Sequence, residues 1–288
     1  MTKSLLVIWA SMTAIASCSE ARPAESTHDP SASVSAQSAG GERATLTIGI
    51  YNVLYALAER KEGTPPSTWV DESTRDQALA LKADVLLLQE TNAVWEGALR
   101  PELAKTYPYC KFHDAVKWAP EGLGLCSKFP ILVDDLERAP GAMFPAQHVR
   151  IGGPKGHLDV WNVHLQPAIA SPVDWEKVHL ETRARRKLEV EYFVSKMDPN
   201  LPTMIAGDFN ERPEGDAFSY LSRVGFDNAL PKVGQKAVTW RWAGVTPPLE
   251  HQLDHLAYRA ASFRVVAAKV ERGGRSDHDA VVVTLEIL

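Results

Sequence analysis

Short rows of alternating or unbroken aliphatic residues recur along most of the chain, each closed by a polar group. Leu46 to Val53 alternates apolar and small or polar positions and predicts a first strand. Asp84 to Gln89 carries Val-Leu-Leu-Leu, which reads as a strand buried on both faces. Tyr107 to His113 and Gly122 to Phe129 predict a pair of strands joined through Trp118-Ala119-Pro120-Glu121. Further strands are expected at Ile131 to Leu136, His148 to Ile151, Leu158 to His164 and Thr203 to Ala206. The closing strands are His251 to Tyr258, Phe263 to Val270 and Ala280 to Ile287. Helical spacing predicts a helix capped by Ser73 and running through Lys82, and a second from Trp95 to Lys105, interrupted near Pro101. Asp174 to Met197 is the longest helical pattern, and Gly215 to Val224 a short one. Val233 to Pro248, with Trp240, Trp242 and two prolines, reads as an ordered surface loop.

Strands outnumber helices, and hairpin-length loops mix with crossover helices. That mixture predicts an α/β or α+β fold with mixed sheets. No internal repeat stands out. The 288 residues, 45% of them apolar, suffice for one large domain or two small ones, and the long unbroken segments favour one.

The N-terminus follows a different pattern. Lys3 precedes the apolar run Leu5 to Ile15, too short to span a bilayer, and small residues lead to Cys18. This order resembles a bacterial lipoprotein signal, which implies cleavage after residue 17 and lipidation of Cys18. Ser19 is not the inner-membrane retention residue of such signals, so the outer membrane is the expected address. An ordinary secretory signal cut between Ser17 and Ala21 is the alternative. Glu20 to Gly41 is rich in Ser, Ala, Pro and Gly and cannot bury a core. The expected organisation is a signal over 1–17, a flexible tether over 18–43 and a folded domain over 44–288.

Charge and cysteines narrow the picture. The net charge of −5 becomes −6 once Lys3 is lost, with 30 basic against 36 acidic residues. A sequence-independent nucleic-acid binder usually carries a basic surface, so this balance leans away from one while leaving room for a local basic groove. Arg183-Ala184-Arg185-Arg186-Lys187 is the only strong basic cluster, and a solvated helix face accounts for it. Cys110 and Cys126 lie in neighbouring predicted strands. Outside the cytoplasm they could pair, but they read slightly better as two small buried thiols. Their spacing makes no zinc knuckle.

The polar groups that close the strands are of one chemical kind. They are Tyr51-Asn52, Gln89-Glu90, Asn162-Val163-His164, Gly207-Asp208-Phe209-Asn210, Asp254-His255 and Ser276-Asp277-His278. Carboxylates, amides and imidazoles at the ends of several strands are what metal-assisted hydrolysis requires. Glu90 and Asn52 offer the oxygens that a hard cation such as Mg²⁺ takes. A helix-capping role for Glu90 is the bland reading. Asp208 and Asn210 can orient a water and hold a phosphate oxygen, whereas an Asx-turn would explain only one of them. Gly207 permits a tight turn or a close backbone approach. His164 and His278 titrate near neutrality, and Glu90, Asp254 and Asp277 are candidate orienters for them.

In this order, together with Gly122-Leu123-Gly124-Leu125-Cys126-Ser127-Lys128-Phe129-Pro130, these motifs resemble the endonuclease/exonuclease/phosphatase superfamily. That group includes deoxyribonuclease I, abasic-site exonucleases, bacterial sphingomyelinases and inositol-polyphosphate phosphatases. The resemblance covers about Leu46 to Leu288. It implies a four-layered α/β/β/α sandwich of two mixed sheets with the site at one end of them. It further implies that Asn52, Glu90 and Asp277 bind Mg²⁺, with Mn²⁺ or Ca²⁺ as substitutes. By the same resemblance Asp254 orients His278, which acts as general base or phosphate clamp. His164 serves as general acid or stabilises the phosphate, Asp208 orients the attacking water, and Asn210 orients the phosphate.

The activity so implied is divalent-metal-dependent phosphodiester hydrolysis. A nuclease comes first, and a phospholipid (sphingomyelinase-like) or small phosphoester hydrolase second. A non-catalytic binding module on the same fold is the reading from another class, and it should have lost one of these side chains. The expected partners are a phosphodiester substrate, nucleic acid included, and a membrane through the lipid anchor. No protein partner is implied. His255 stands where many relatives carry an aromatic or aliphatic residue, so it is either packed or at the rim of the site. No helix-rich insertion of the membrane-docking kind is visible, and the Trp240/Trp242 segment reads better as a core flap than as a lipid wedge.

Overall fold

The alternating rows of the sequence become the facing sides of two six-stranded sheets. The computed structural model describes residues 44–61, 67–242 and 245–288. The expected signal, Cys18 and the tether lie outside the described residues. In chain order the elements are β1 (Thr45–Asn52), β2 (Ala58–Lys61), β3 (Ser67–Val70), α1 (Glu72–Ala80), β4 (Val85–Thr91), α2 (Ala93–Leu103), β5 (Tyr109–His113) and β6 (Gly122–Ser127). Next come β7 (Ile131–Glu137), β8 (Ala146–Gly153), β9 (Gly156–His164), α3 (Trp175–Lys196), β10 (Thr203–Asp208), α4 (Asp216–Arg223), β11 (Phe226–Asn228) and α5 (Ala229–Lys232). The chain closes with β12 (Trp240–Trp242), β13 (Leu249–His251), β14 (Asp254–Arg259), β15 (Phe263–Glu271) and β16 (Ala280–Ile287).

The sheets run in the orders β15-β16-β1-β4-β6-β5 and β11-β14-β10-β9-β8-β7. Each is built around one parallel pair, β1/β4 in the first and β9/β10 in the second, with antiparallel strands on both sides. The two sheets therefore repeat one plan, although no sequence repeat is visible. A parallel pair needs a crossover, and α1 and α3 lie within those two connections.

Period-two alternation decides which residues meet between the sheets. Ile48, Ile50, Val85 and Leu87 of the first sheet share one buried cluster with Val149, Val160, Met204, Ala206 and Leu256 of the second. The opposite faces are covered by helices. Trp95 and Leu99 of α2 and Ala78 of α1 pack on Tyr51, Leu86 and Leu88. Val190 and Phe193 of α3 and Phe218 and Leu221 of α4 pack on Trp161, Val163 and Ile205. The result is the expected α/β/β/α sandwich.

Several local expectations are corrected. The first helix is capped by Asp71, whose side chain accepts from Thr74 N at 2.8 Å, and not by Ser73. The second starts at Ala93, because Asn92 Oδ1 accepts from the amides of Val94 and Trp95, and it runs through Pro101 without a break. The expected surface loop Val233 to Pro248 contains β12, which pairs with β13. Trp240 in it is buried against Trp175 and Leu253. Cys110 and Cys126 face each other across β5 and β6 and are joined by a disulfide, against the expectation of two thiols. Their directly opposed register, invisible in the sequence, is what brings the sulfurs together.

Candidate active site

The inner rows end in polar residues at one end of the sandwich. In β1, Ile48 and Ile50 are followed two residues later by Asn52. Val160 in β9 leads to Asn162 and His164, and Met204 and Ala206 in β10 lead to Asp208. Asp254 opens β14 directly opposite Asp208, and His164 is the register partner of Asp208 on its other side. Alternation therefore points Asn52, His164, Asp208 and Asp254 into the same space between the sheets.

Glu90 reaches that space by a different route. Alternation after Val85 and Leu87 would give the inner face to Gln89 and turn Glu90 outward. Instead a bulge lies between Gln89 and Thr91, and Glu90 adopts a φ of 57°. Positive φ is strained for such a side chain, and strain of this kind gathers at functional sites. The carboxylate accepts from Asn52 Nδ2 at 3.0 Å and from Tyr55 N at 3.2 Å.

The convergence point is Asp208 Oδ2. Asn52 Nδ2 donates to it at 3.2 Å across the two sheets. His164 Nε2 and His278 Nε2 each stand 3.6 Å from it. Asp208 Oδ1 has another task and accepts from Asn210 N at 2.8 Å. The turn-forming and site-forming readings of Asp208 are both realised, one on each oxygen. Asn210 has a φ of 48°, and its side-chain amide donates to Leu165 O at 3.1 Å, close beneath His164.

The two histidines are held in different protonation states. His278 Nδ1 donates to Asp254 Oδ2 at 2.8 Å. Burial disfavours its charged form, but the Asp254 and Asp208 carboxylates outweigh burial and hold the imidazole well above its ordinary value. His164 Nδ1 donates to Pro120 O at 3.1 Å, which leaves Nε2 as the free lone pair. Burial pulls this ring below its ordinary value against the opposing charge of Glu90, 3.9 Å away, so it is neutral at pH 7. Burial likewise raises the carboxyls of Glu90, Asp208 and Asp254.

Asp277 lies at the rim. Its Oδ2 accepts from Trp240 Nε1 at 2.8 Å, while Oδ1 is buried without a hydrogen-bond partner among the described residues. Its charge raises the carboxyls of Glu90 and Asp208 further. Two carboxyls raised by the charge of a third, which itself has an orphaned oxygen among the described residues, suit a hard divalent cation. Asn52 also ties Glu90 to Asp208 as a donor, and its Oδ1, which accepts from Leu54 N at 3.0 Å, keeps a second lone pair. Asp208, Asp254 and His278 also bring ligand atoms within 4.8 Å of one another. There the imidazolium of His278 already supplies the positive charge.

All eight proposed site residues thus gather at one end of the sandwich, and His255 does not. It sits on the outer face of β14, packed against Phe209 and Phe218, with Nε2 2.9 Å from Glu211 O. Other groups position the site in ways the sequence did not announce. Pro120 O fixes the His164 tautomer. Thr239 Oγ1 accepts from the Leu253 and Asp254 amides. Ser276 Oγ donates to Asn52 O at 2.7 Å and accepts from His278 N at 3.1 Å. Beneath them Gln89 Nε2 donates to Asn162 Oδ1 at 2.6 Å, a polar floor between the sheets. Gln89, Asn162 and Ser276 belonged to noticed motifs, whereas Thr239 did not, and backbone acceptors such as Pro120 O carry no residue signature.

A mixed α/β/β/α sandwich with carboxylates and imidazoles at its strand ends defines a class of phosphoester-cleaving proteins. The Endonuclease/Exonuclease/phosphatase family matches the chain over residues 50–278, and the chain belongs to that family. Its members are hydrolases acting on phosphoester bonds. The fold is shared with an endonuclease/exonuclease/phosphatase protein of Beutenbergia cavernae, at 19% identity and a TM-score of 0.62, over 85% of this chain and 72% of that one. The human Nocturnin catalytic domain, with bound sulfate, is similar at 14% identity and a TM-score of 0.60, over 85% and 94%. TDP2 of D. rerio, complexed with a single-strand DNA product, is similar at 15% identity and a TM-score of 0.62, over 84% and 99%. No curated protein matches the chain.

Proposed function

We propose that this protein is a divalent-cation-dependent phosphodiester hydrolase of the nuclease type, exported and held to a membrane by a lipid on Cys18. The observation that carries the hydrolytic reading is the convergence of Asn52, His164 and His278 on Asp208 Oδ2. One oxygen of a buried carboxylate, faced by a neutral and a cationic imidazole, is a place where water can be activated beside an anion.

The chemistry follows from those charges. Asp208 orients the attacking water and takes its proton as the new P–O bond forms, while the P–O bond in line with it on the far side breaks and the leaving oxygen departs as an alcohol, taking a proton from solvent. The free Nε2 of His164 accepts the second hydrogen of that water and fixes its direction. His278, kept cationic by Asp254, clamps a non-bridging phosphate oxygen and offsets the charge that builds in the transition state. Asn210, whose side-chain amide also donates to Leu165 O, orients the same phosphate. Asn52, Glu90 and Asp277 are the oxygen donors that would hold a divalent cation, which supplies Lewis-acid polarisation of the phosphate. The choice of Mg²⁺ rests on the hardness of that donor set.

Export is supported by the Lys3, Leu5–Ile15, Cys18 order and by the Cys110–Cys126 disulfide, a bond that persists in oxidising compartments. The nuclease reading is supported by the fold shared with the DNA-product complex of TDP2. The test is His278→Ala assayed on bis(p-nitrophenyl) phosphate. The expected result is a fall in kcat of about 10²–10⁴-fold with an unchanged far-ultraviolet spectrum. Near-wild-type turnover would remove His278 from the site chemistry.

A further inference from the structure

A cavity of about 700 Å³ opens beside the site and shares Ser276 and Asp277 with it. Its volume is in the range of small-ligand pockets. Its lining is unlike the rest of this acidic chain. Arg241, Arg272 and Arg275 face it, against Asp277 and Asp279. Arg241 is committed to Asp279 and to Glu250. Arg272 and Arg275 are not held in this way. Their side chains are 72% and 70% exposed, and their ion pairs with Asp279 and Asp71 are long, at 3.8 and 3.5 Å. Most of their guanidinium donors remain available to a ligand.

These two arginines stand on a fixed turn. Tyr51 Oη donates to Gly273 O at 3.1 Å, and Arg275 N donates to Thr74 Oγ1 at 2.8 Å. Ser276 is tied to Asn52 O. Gly274 has a φ of 76°, and a Cβ there would stand 2.6 Å from Tyr51 Oη. The turn therefore presents Arg272 and Arg275 with little backbone freedom to lose on binding. The half-buried indole of Trp242, which packs on the Trp175, Trp240 and Leu253 cluster, lines the same cavity. Paired guanidinium forks match phosphate, and an indole face suits any nucleobase.

We propose that this cavity is a second subsite, which takes the nucleotide unit next to the scissile bond. Arg272 and Arg275 hold the phosphate of that unit, and Trp242 stacks on its base. Asp277 joins the subsite to the reacting centre, because it borders both. The assignment rests on the phosphodiesterase reading and selects nucleotidyl substrates over other phosphodiesters.

The test is equilibrium binding to the full chain in EDTA, where no turnover occurs, so it is independent of the hydrolytic assay. The probes are thymidine 3′,5′-bisphosphate, 2-deoxyribose 3,5-bisphosphate and inorganic phosphate, measured by calorimetry. The thymidine compound is expected to bind at least ten-fold more tightly than phosphate. Arg272→Ala/Arg275→Ala is expected to weaken both bisphosphates at least ten-fold. Trp242→Leu is expected to weaken only the thymidine compound, by about 5- to 100-fold, the range of one lost base stack. The proposal is overturned if the thymidine compound binds no tighter than phosphate, or if the arginine variant stays within two-fold of wild type. It is also overturned if Trp242→Leu weakens both bisphosphates equally. The arginines are exposed, so their replacement leaves the fold intact whatever the outcome at Trp242.

Discussion

Asp208 Oδ1 closes the turn to Asn210 while Oδ2 receives Asn52 and faces both histidines, so a single side chain couples backbone shape to site charge. Asp254 plays the matching part for His278. It raises the imidazole, and Asp208 adds to the effect. The stabilisation from the charged His278 is fully present below about pH 6.5, the unfolded value, and is lost as pH rises through the elevated folded value. In Asp254→Asn the imidazole should lose its proton at lower pH. The alkaline limb of the pH–rate profile is then expected to move toward acid, and an unmoved limb would contradict a cationic His278. Most of this cluster was legible from period two, since Asn52, His164 and Asp208 each continue a core-facing row by two residues. Glu90 is the exception. Its residue type announced chemistry, but its direction depends on a bulge and a φ of 57° that no pattern of apolar residues encodes.

Among the elements, the central strands were readable and the small ones were not. β1, β4, β9, β10, β14 and β16 have six to nine residues each and are almost wholly buried, and burial selects their apolar rows strongly. β12 and β13 have three residues each, too few for alternation to register, yet they carry Trp240 to Asp277. Gly207 illustrates how strand contact shapes the site. Its φ is 140°, and a Cβ there would lie 2.1 Å from Val163 O, so the close approach is to β9 and not to a ligand. Gly207→Ala is expected to push β10 from β9 beside His164 and Asp208. It should lower kcat at least ten-fold and depress the melting temperature, as checked by kinetics and calorimetry. The disulfide ties edge strand β5 to β6 across a sequence separation of 16. Closing a loop of that length restricts the unfolded chain by about 3 kcal/mol. Denaturant titration of Cys110→Ala/Cys126→Ala is expected to show a loss of that order.

At the scale of the whole molecule, two sheets of one plan meet with their parallel pairs face to face. The carboxyl ends of β1, β4, β9 and β10 then supply Asn52, Glu90, His164 and Asp208, and the adjoining antiparallel strands bring in Asp254 and His278. This duplication explains why residues far apart in sequence share one cavity. It was not legible because the repeat lies in strand order and direction rather than in residue identity. The same arrangement concentrates buried negative charge, which ties the hydrolytic reading to a divalent cation. The most direct test is nitrophenol release from bis(p-nitrophenyl) phosphate by the purified protein, titrated with Mg²⁺ after treatment with EDTA. Saturable, Mg²⁺-dependent release that falls at least 10²-fold in Asp208→Asn is the predicted result. Release that persists undiminished in EDTA, or no release with either Mg²⁺ or Mn²⁺ across the pH range, would contradict the account.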